Sequence, residues 1–79
     1  MRVVLYTKMD CGLCEDAEAM LMRARRRIAF DLERVFIDNG SELLELYGDS
    51  VPVVTVDGKE VASAPVDEAS LVTALSNAA

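Results

Sequence analysis

Cys11 and Cys14 are the only cysteines in the chain, three positions apart in the stretch MDCGLCED, and no histidine occurs anywhere. On a helix two thiols at that spacing lie about one turn apart, close enough to close a disulfide and to reopen it. The chemistry that suits them is reversible thiol–disulfide exchange, in which one thiolate attacks a partner disulfide and the second thiol resolves the mixed disulfide. Three other uses compete. Structural zinc usually takes four nitrogen or sulfur ligands, so this pair would need a second chain to complete an inter-chain zinc clip. Free cysteine is also often buried and can serve as inert packing. Asp10 and Asp16 are available as a general acid and base, although carboxylates in a first helical turn more often serve the helix dipole.

The elements on either side of the pair decide how the sulfurs are presented. Residues 3–6, VVLY, are a continuous β-favouring run, the pattern of a strand covered on both faces in a parallel sheet. From Gly12 to about Arg27, Leu13, Ala17, Met20, Leu21, Ala24 and Ile28 recur at helical spacing, with Glu15, Glu18, Met22 and Arg26 toward the other side. The cysteines therefore fall where a strand hands over to a helix. Unpaired backbone N–H groups at a helix start stabilise a negative sulfur, which makes Cys11 the better nucleophile and Cys14 the resolving thiol. Lys8 adds a mobile positive charge three residues before Cys11. Asp10, Glu15 and Asp16 act in the opposite sense, so the predicted nucleophile is less acidic than in strongly oxidising thiol proteins. Gly12 leaves room for a partner backbone, and Leu13 presents an apolar surface beside the sulfur.

Residues 32–37 read as a second strand, giving a strand–helix–strand unit of parallel, right-handed type. Asn39-Gly40 marks a turn, Ser41 can cap a short helix over residues 42–47, and Gly48 is placed to end it. Residues 53–56 and 59–62 flank Asp57-Gly58, a dipeptide favoured in two-residue hairpin turns because both central positions need positive φ. Pro65 breaks the chain, and Asp67 can cap a final helix whose Val66, Leu71, Ala74 and Leu75 face the sheet. The order βαβαββα predicts an α/β protein: a four-stranded mixed sheet flanked by three helices, on both faces.

Residues 1–79 leave room for one domain, and the 52% apolar content is that of an ordinary globular chain. Fourteen acids against eight bases give a net charge of −6, which opposes attraction to nucleic acid or anionic lipid. Arg23, Arg25, Arg26 and Arg27 are the local exception; they read best as a solvated helix end that complements the acidic first turn. The run at 3–6 is too short for a signal-peptide core or a membrane span, so the expectation is a soluble, cytoplasmic monomer.

Two stretches, LYTKMDCGLCEDAEAML and SVPVVTVDGKEV, together with the spacing between them, give the chain a wider likeness. Over nearly its whole length it resembles the glutaredoxin-like branch of the thioredoxin superfamily. The resemblance implies a thioredoxin-like fold and dithiol exchange on protein disulfides or low-molecular-weight thiols. It also implies no tightly bound cofactor and no metal, with electrons supplied by glutathione or a thioredoxin-reductase-type donor. In that family a proline opening the third strand is cis and faces the disulfide, while the preceding backbone pairs with bound peptide or glutathione; Val51-Pro52 matches that position. The chain departs from the family in having Gly12-Leu13 where dithiol glutaredoxins carry a proline and an aromatic. It departs again in reading ASAPVD where they carry a glycine pair and a small residue before an aspartate that hold the glutathione carboxylate. The same fold can also serve a non-catalytic binding module, with the cysteine pair as a redox-sensitive latch.

Overall fold

A computed structural model of the protein describes residues 1–38, 42–48 and 50–78. The apolar run near the amino terminus forms β1 (Arg2–Thr7), followed by α1 (Gly12–Ala24), β2 (Asp31–Phe36), α2 (Glu42–Tyr47), β3 (Val53–Val56), β4 (Lys59–Ser63) and α3 (Glu68–Ala78). The strands lie in the order β2-β1-β3-β4. β1 is parallel to β2 and antiparallel to β3, and β4 closes the sheet antiparallel to β3. This is the mixed four-stranded α/β arrangement expected from the alternation of elements. The turn at Asn39-Gly40 and the cap at Ser41 lie outside the described residues.

One face of the sheet holds the main core. Val3 and Leu5 of β1 stand opposite Val56 and Val54 of β3, and Ala17, Leu21 and Ala24 of α1 close over them with Leu71 and Leu75 of α3. Each valine or leucine among them contributes about 1.5–3 kcal/mol when taken fully out of water. The opposite face is thinner. Val4 and Tyr6 remain half-buried, and α2 reaches Tyr6 through Tyr47, whose ring lies 4.7 Å from that of Tyr6. A six-residue helix is only about 9 Å long, less than the width of the sheet. Equal cover on both faces of β1, expected from its unbroken apolar run, is therefore not what forms.

Two further expectations about α1 need correction. Its inward row is Cys14, Ala17, Leu21 and Ala24, while Leu13 is 55% exposed. Steps of three and four residues keep that row on one side; Leu13 lies about 60° from its middle, in the first turn of the helix. The helix also ends at Ala24 rather than near Arg27. Beyond it the chain tightens, with the Arg26 N–H donating to the Arg23 carbonyl at 3.2 Å and the Arg27 N–H to that of Ala24 at 3.0 Å.

The turns follow their residues. Asp57 and Gly58 both have positive φ, 49° and 88°, as the hairpin requires. The Asp57 carboxylate also accepts from the Arg2 N–H at 2.9 Å, tying the turn to the start of β1. Asp67 caps α3 by accepting from the Ser70 N–H at 2.9 Å. At Gly48 the need for glycine is a close approach: a Cβ there would collide with the carbonyl oxygen of Leu44.

Candidate active site

The segment from Lys8 to Cys11 joins the C-terminal end of β1 to α1, and its course is held from the neighbouring strand. The Ile37 N–H donates to the Thr7 carbonyl at 2.9 Å, and the Asp38 carboxylate accepts from the Met9 N–H at 3.0 Å. Between these ties and the helix, Asp10 turns through a left-handed conformation, φ 53°; aspartate tolerates that region better than most residues. Cys11 then occupies the N-cap of α1 in extended conformation. Its carbonyl accepts from the Glu15 N–H at 3.0 Å, and its Sγ accepts from the Cys14 N–H at 3.2 Å.

The two sulfurs are joined in a disulfide, with Cα atoms 5.2 Å apart, and their surroundings are unequal. Cys11 is partly exposed at the helix end; Cys14 is 2% exposed, in the inward row of α1. An incoming sulfur therefore has access to Cys11. Negative charge developing on Cys11 Sγ meets the N–H of Cys14 and the positive end of the helix dipole, whereas Glu15 in the first turn acts in the opposite sense.

Register sets the other wall. β3 runs antiparallel to β1, and Val53 pairs with Tyr6 near the end of β1 that leads to the cysteines. Val51 and Pro52, just before Val53, thus lie at the same end of the sheet as the disulfide. The Val51–Pro52 peptide bond is cis, the geometry implied by the family resemblance. Pro52 is buried and Val51 half-buried. The N–H groups of Ser50 and Val51 donate to the Tyr47 carbonyl at 2.8 and 3.1 Å, and the Ala64 N–H donates to the Ser50 carbonyl at 3.3 Å. The ASAPVD stretch is thereby fastened to the loop carrying Val51; it contains a second cis bond, Ala64–Pro65.

Lys8 is half-buried and belongs to none of the ion pairs among the described residues, which engage Arg2, Arg23 and Arg34. A Cβ on Gly12 would meet open space, so nothing in the fold itself calls for glycine there. Leu13 and Met9, 55% and 65% exposed, place apolar surface on both sides of Cys11 in the chain. Among the described residues no group of three or more His, Cys, Asp or Glu is arranged to hold a metal ion, and no helix is long and apolar enough to cross a membrane.

The profile of the Glutaredoxin-like domain (DUF836) matches residues 2–76. The chain belongs to this family. Among solved structures the glutaredoxin-like domain is similar to the target protein XcR50 from X. campestris, with 37% identity and a TM-score of 0.81 over 98% of this chain and 97% of that one. It is also similar to protein Ne2328 from Nitrosomonas europaea, at 33% identity and TM-score 0.78 over 94% and 89% of the two chains. A mutant thioredoxin from Halobacterium salinarum shares the fold, at 21% identity and TM-score 0.70 over 96% of this chain and 72% of its own. No curated protein matches the chain. The architecture of this glutaredoxin-like domain is thus thioredoxin-like.

Sequence reasoning missed one residue of the site and gave another the wrong task. Asp38, at the exit of β2, reaches back to the cysteine loop, and only the pairing of β1 with β2 makes that contact visible. Asp10 counted as a charge near the sulfurs; its positive φ makes it part of the turn that delivers Cys11. An aspartate between a strand end and a helix start was the available signal.

Proposed function

We propose that this glutaredoxin-like domain is a thiol–disulfide oxidoreductase. The observation that carries the proposal is the asymmetry of the pair: Cys11 is accessible and receives the Cys14 N–H on its sulfur, while Cys14 is shielded behind it. In the reduced protein the Cys11 thiolate attacks one sulfur of a partner disulfide, forming a mixed disulfide and releasing the first partner sulfur as a thiolate that takes a proton from solvent. Cys14, once deprotonated, attacks Cys11 Sγ and releases the second partner sulfur. Two electrons pass to the partner, and the protein is left with the Cys11–Cys14 disulfide. An external dithiol system, or two glutathiones, returns it to the reduced state.

In this reading Lys8 favours the thiolate, and Gly12 and Leu13 form the surface over which a partner approaches. The Val51 carbonyl, beside cis-Pro52, accepts from extended peptide or a small thiol compound, the Val51 N–H being taken by the Tyr47 carbonyl; main-chain pairing accepts many side chains. Substrates are protein disulfides or low-molecular-weight thiol compounds, and a reducing cytoplasm is the setting in which such a pair would cycle.

The test is substitution of each cysteine. Cys14→Ser should accumulate mixed disulfides on Cys11 when the reduced protein meets glutathione disulfide or insulin. Cys11→Ser should abolish turnover with either. A folded Cys14→Ser protein that forms no adduct would sink the exchange reaction and leave the redox latch as the use of the pair. Coupling turnover to glutathione with its reductase, or to thioredoxin reductase, identifies the electron donor.

A further inference from the structure

Four of the eight basic residues, Arg23, Arg25, Arg26 and Arg27, fall within five positions, and the rest of the chain holds four bases against fourteen acids. Two of the four are engaged. The Arg23 guanidinium donates to both carboxylate oxygens of Glu68, at 2.9 and 2.8 Å, and Arg25 lies over the Phe30 ring, 5.8 Å from its centre. Arg26 and Arg27 are exposed and join no ion pair among the described residues.

Closing the helix does not occupy them either. The Leu21 carbonyl accepts from the Arg25 N–H at 3.0 Å, that of Arg23 from the Arg26 N–H at 3.2 Å, and that of Ala24 from the Arg27 and Ile28 N–H groups at 3.0 and 2.9 Å. The carbonyls of Leu21, Arg23 and Ala24 are thus met by backbone, and neither the Arg26 nor the Arg27 guanidinium pairs with a carboxylate among the described residues. Beside them a groove of about 490 Å³ runs between the end of α1 and α3, with Ala24, Ile28 and Val72 supplying aliphatic lining, Arg26 and Arg27 the net positive charge, and the paired Arg23 and Glu68 part of its wall.

We propose that this groove docks a short acidic segment of a partner protein. Its carboxylates would meet Arg26 and Arg27 while an aliphatic side chain enters between Ile28 and Val72. Charge complementarity selects this occupant. An extended anionic surface, or a second copy of this chain, would also face the acidic remainder of a molecule carrying −6. A short peptide meets only the local cluster, because at physiological salt charges are screened over about 8 Å. Thirteen residues of α1 put the groove about 20 Å from Cys11. A partner held there leaves the disulfide accessible, and docking is independent of whether exchange occurs.

The test is titration of the isotopically labelled protein, followed by amide NMR, with a blocked peptide of Glu and Leu at helical spacing. A twin carrying Lys for Glu and vesicles of phosphatidylserine and phosphatidylcholine serve as competing probes. The Glu peptide should shift amides in residues 23–28 and 68–76 and lose affinity as salt is raised. The double substitution R26S/R27S should weaken it about tenfold, the sum of two exposed ion pairs, at unchanged melting temperature and disulfide-exchange rate. Equal binding of the Lys twin, no shift in these segments, or full affinity in the double variant overturns the proposal. So does binding of the vesicles through this groove without binding of the peptide, or concentration-dependent self-association through it.

Discussion

Replacing Asp38 tests whether the cysteine loop is held from outside the motif. Its carboxylate accepts the Met9 N–H at 3.0 Å, two residues before Cys11, in a segment that also keeps Asp10 at φ 53°. Asp38→Ala removes both the acceptor and the charge, whereas Asp38→Asn keeps an acceptor and removes only the charge. A net hydrogen bond of this kind is worth about 0.5–1.5 kcal/mol, and Asp38 is exposed, so the lower half of that range applies. Asp38→Ala should therefore lower stability by about 0.5–1 kcal/mol. It should slow reaction of Cys11 with a disulfide by up to about fivefold, if the lost contact frees the loop in the reacting state. Asp38→Asn should retain most of the stability, and with a negative charge gone from the loop its thiol should ionise at lower pH. Urea unfolding gives the first quantity, stopped-flow reaction with an aromatic disulfide the second, and the ultraviolet absorbance of the thiolate the third. An alanine variant identical to the parent in stability and rate would refute the anchoring role. An asparagine variant with an unshifted thiol titration would refute the electrostatic one.

Other consequences are as direct. Gly48→Ala should lower stability by about 1–3 kcal/mol, the usual cost of overpacking, because its Cβ meets the Leu44 carbonyl; the urea midpoint reads this. Gly12→Ala should leave stability unchanged or raise it by up to about 1 kcal/mol, since a Cβ there meets open space. The same change should slow exchange with a protein disulfide more than with a small one. Acid should destabilise the α3 end: the Ser70 backbone N–H holds the Asp67 carboxyl below the usual carboxylate range, and the Arg23 hydrogen bonds do the same for Glu68. A carboxyl depressed in the folded state adds stability above its unfolded value and loses it as pH falls through the folded one. Melting temperature should thus be flat above about pH 5 and fall below about pH 4, with a smaller fall in Asp67→Asn.

The fold was legible where local chemistry and burial agreed. The β1 run, the Asp57-Gly58 turn, the Asp67 cap and the place of the cysteines at a helix start each follow from nearby residues, and so does the order of elements. Leu13 misled because apolar character at a helix start can serve a partner as well as a core; its neighbour Cys14 took the inward row instead. Arg25, Arg26 and Arg27 extended the helical pattern beyond its end, since arginine favours helix wherever the chain continues one. The thin second face could not be read from VVLY, because cover there depends on the reach of α2. Asp38 needed the β1–β2 register, and the open groove beside Arg26 and Arg27 needed the position of α3.

The measurement nearest the centre of this account is site-resolved alkylation of the reduced protein by limiting iodoacetamide at neutral pH, read by peptide mass spectrometry. Cys11, capped at the helix start and partly exposed, should be modified well ahead of Cys14, and its labelling rate should be retained when Cys14 is exchanged for serine. Faster labelling of Cys14, or equal labelling of the two in the folded protein, would contradict the assignment of Cys11 as the attacking sulfur.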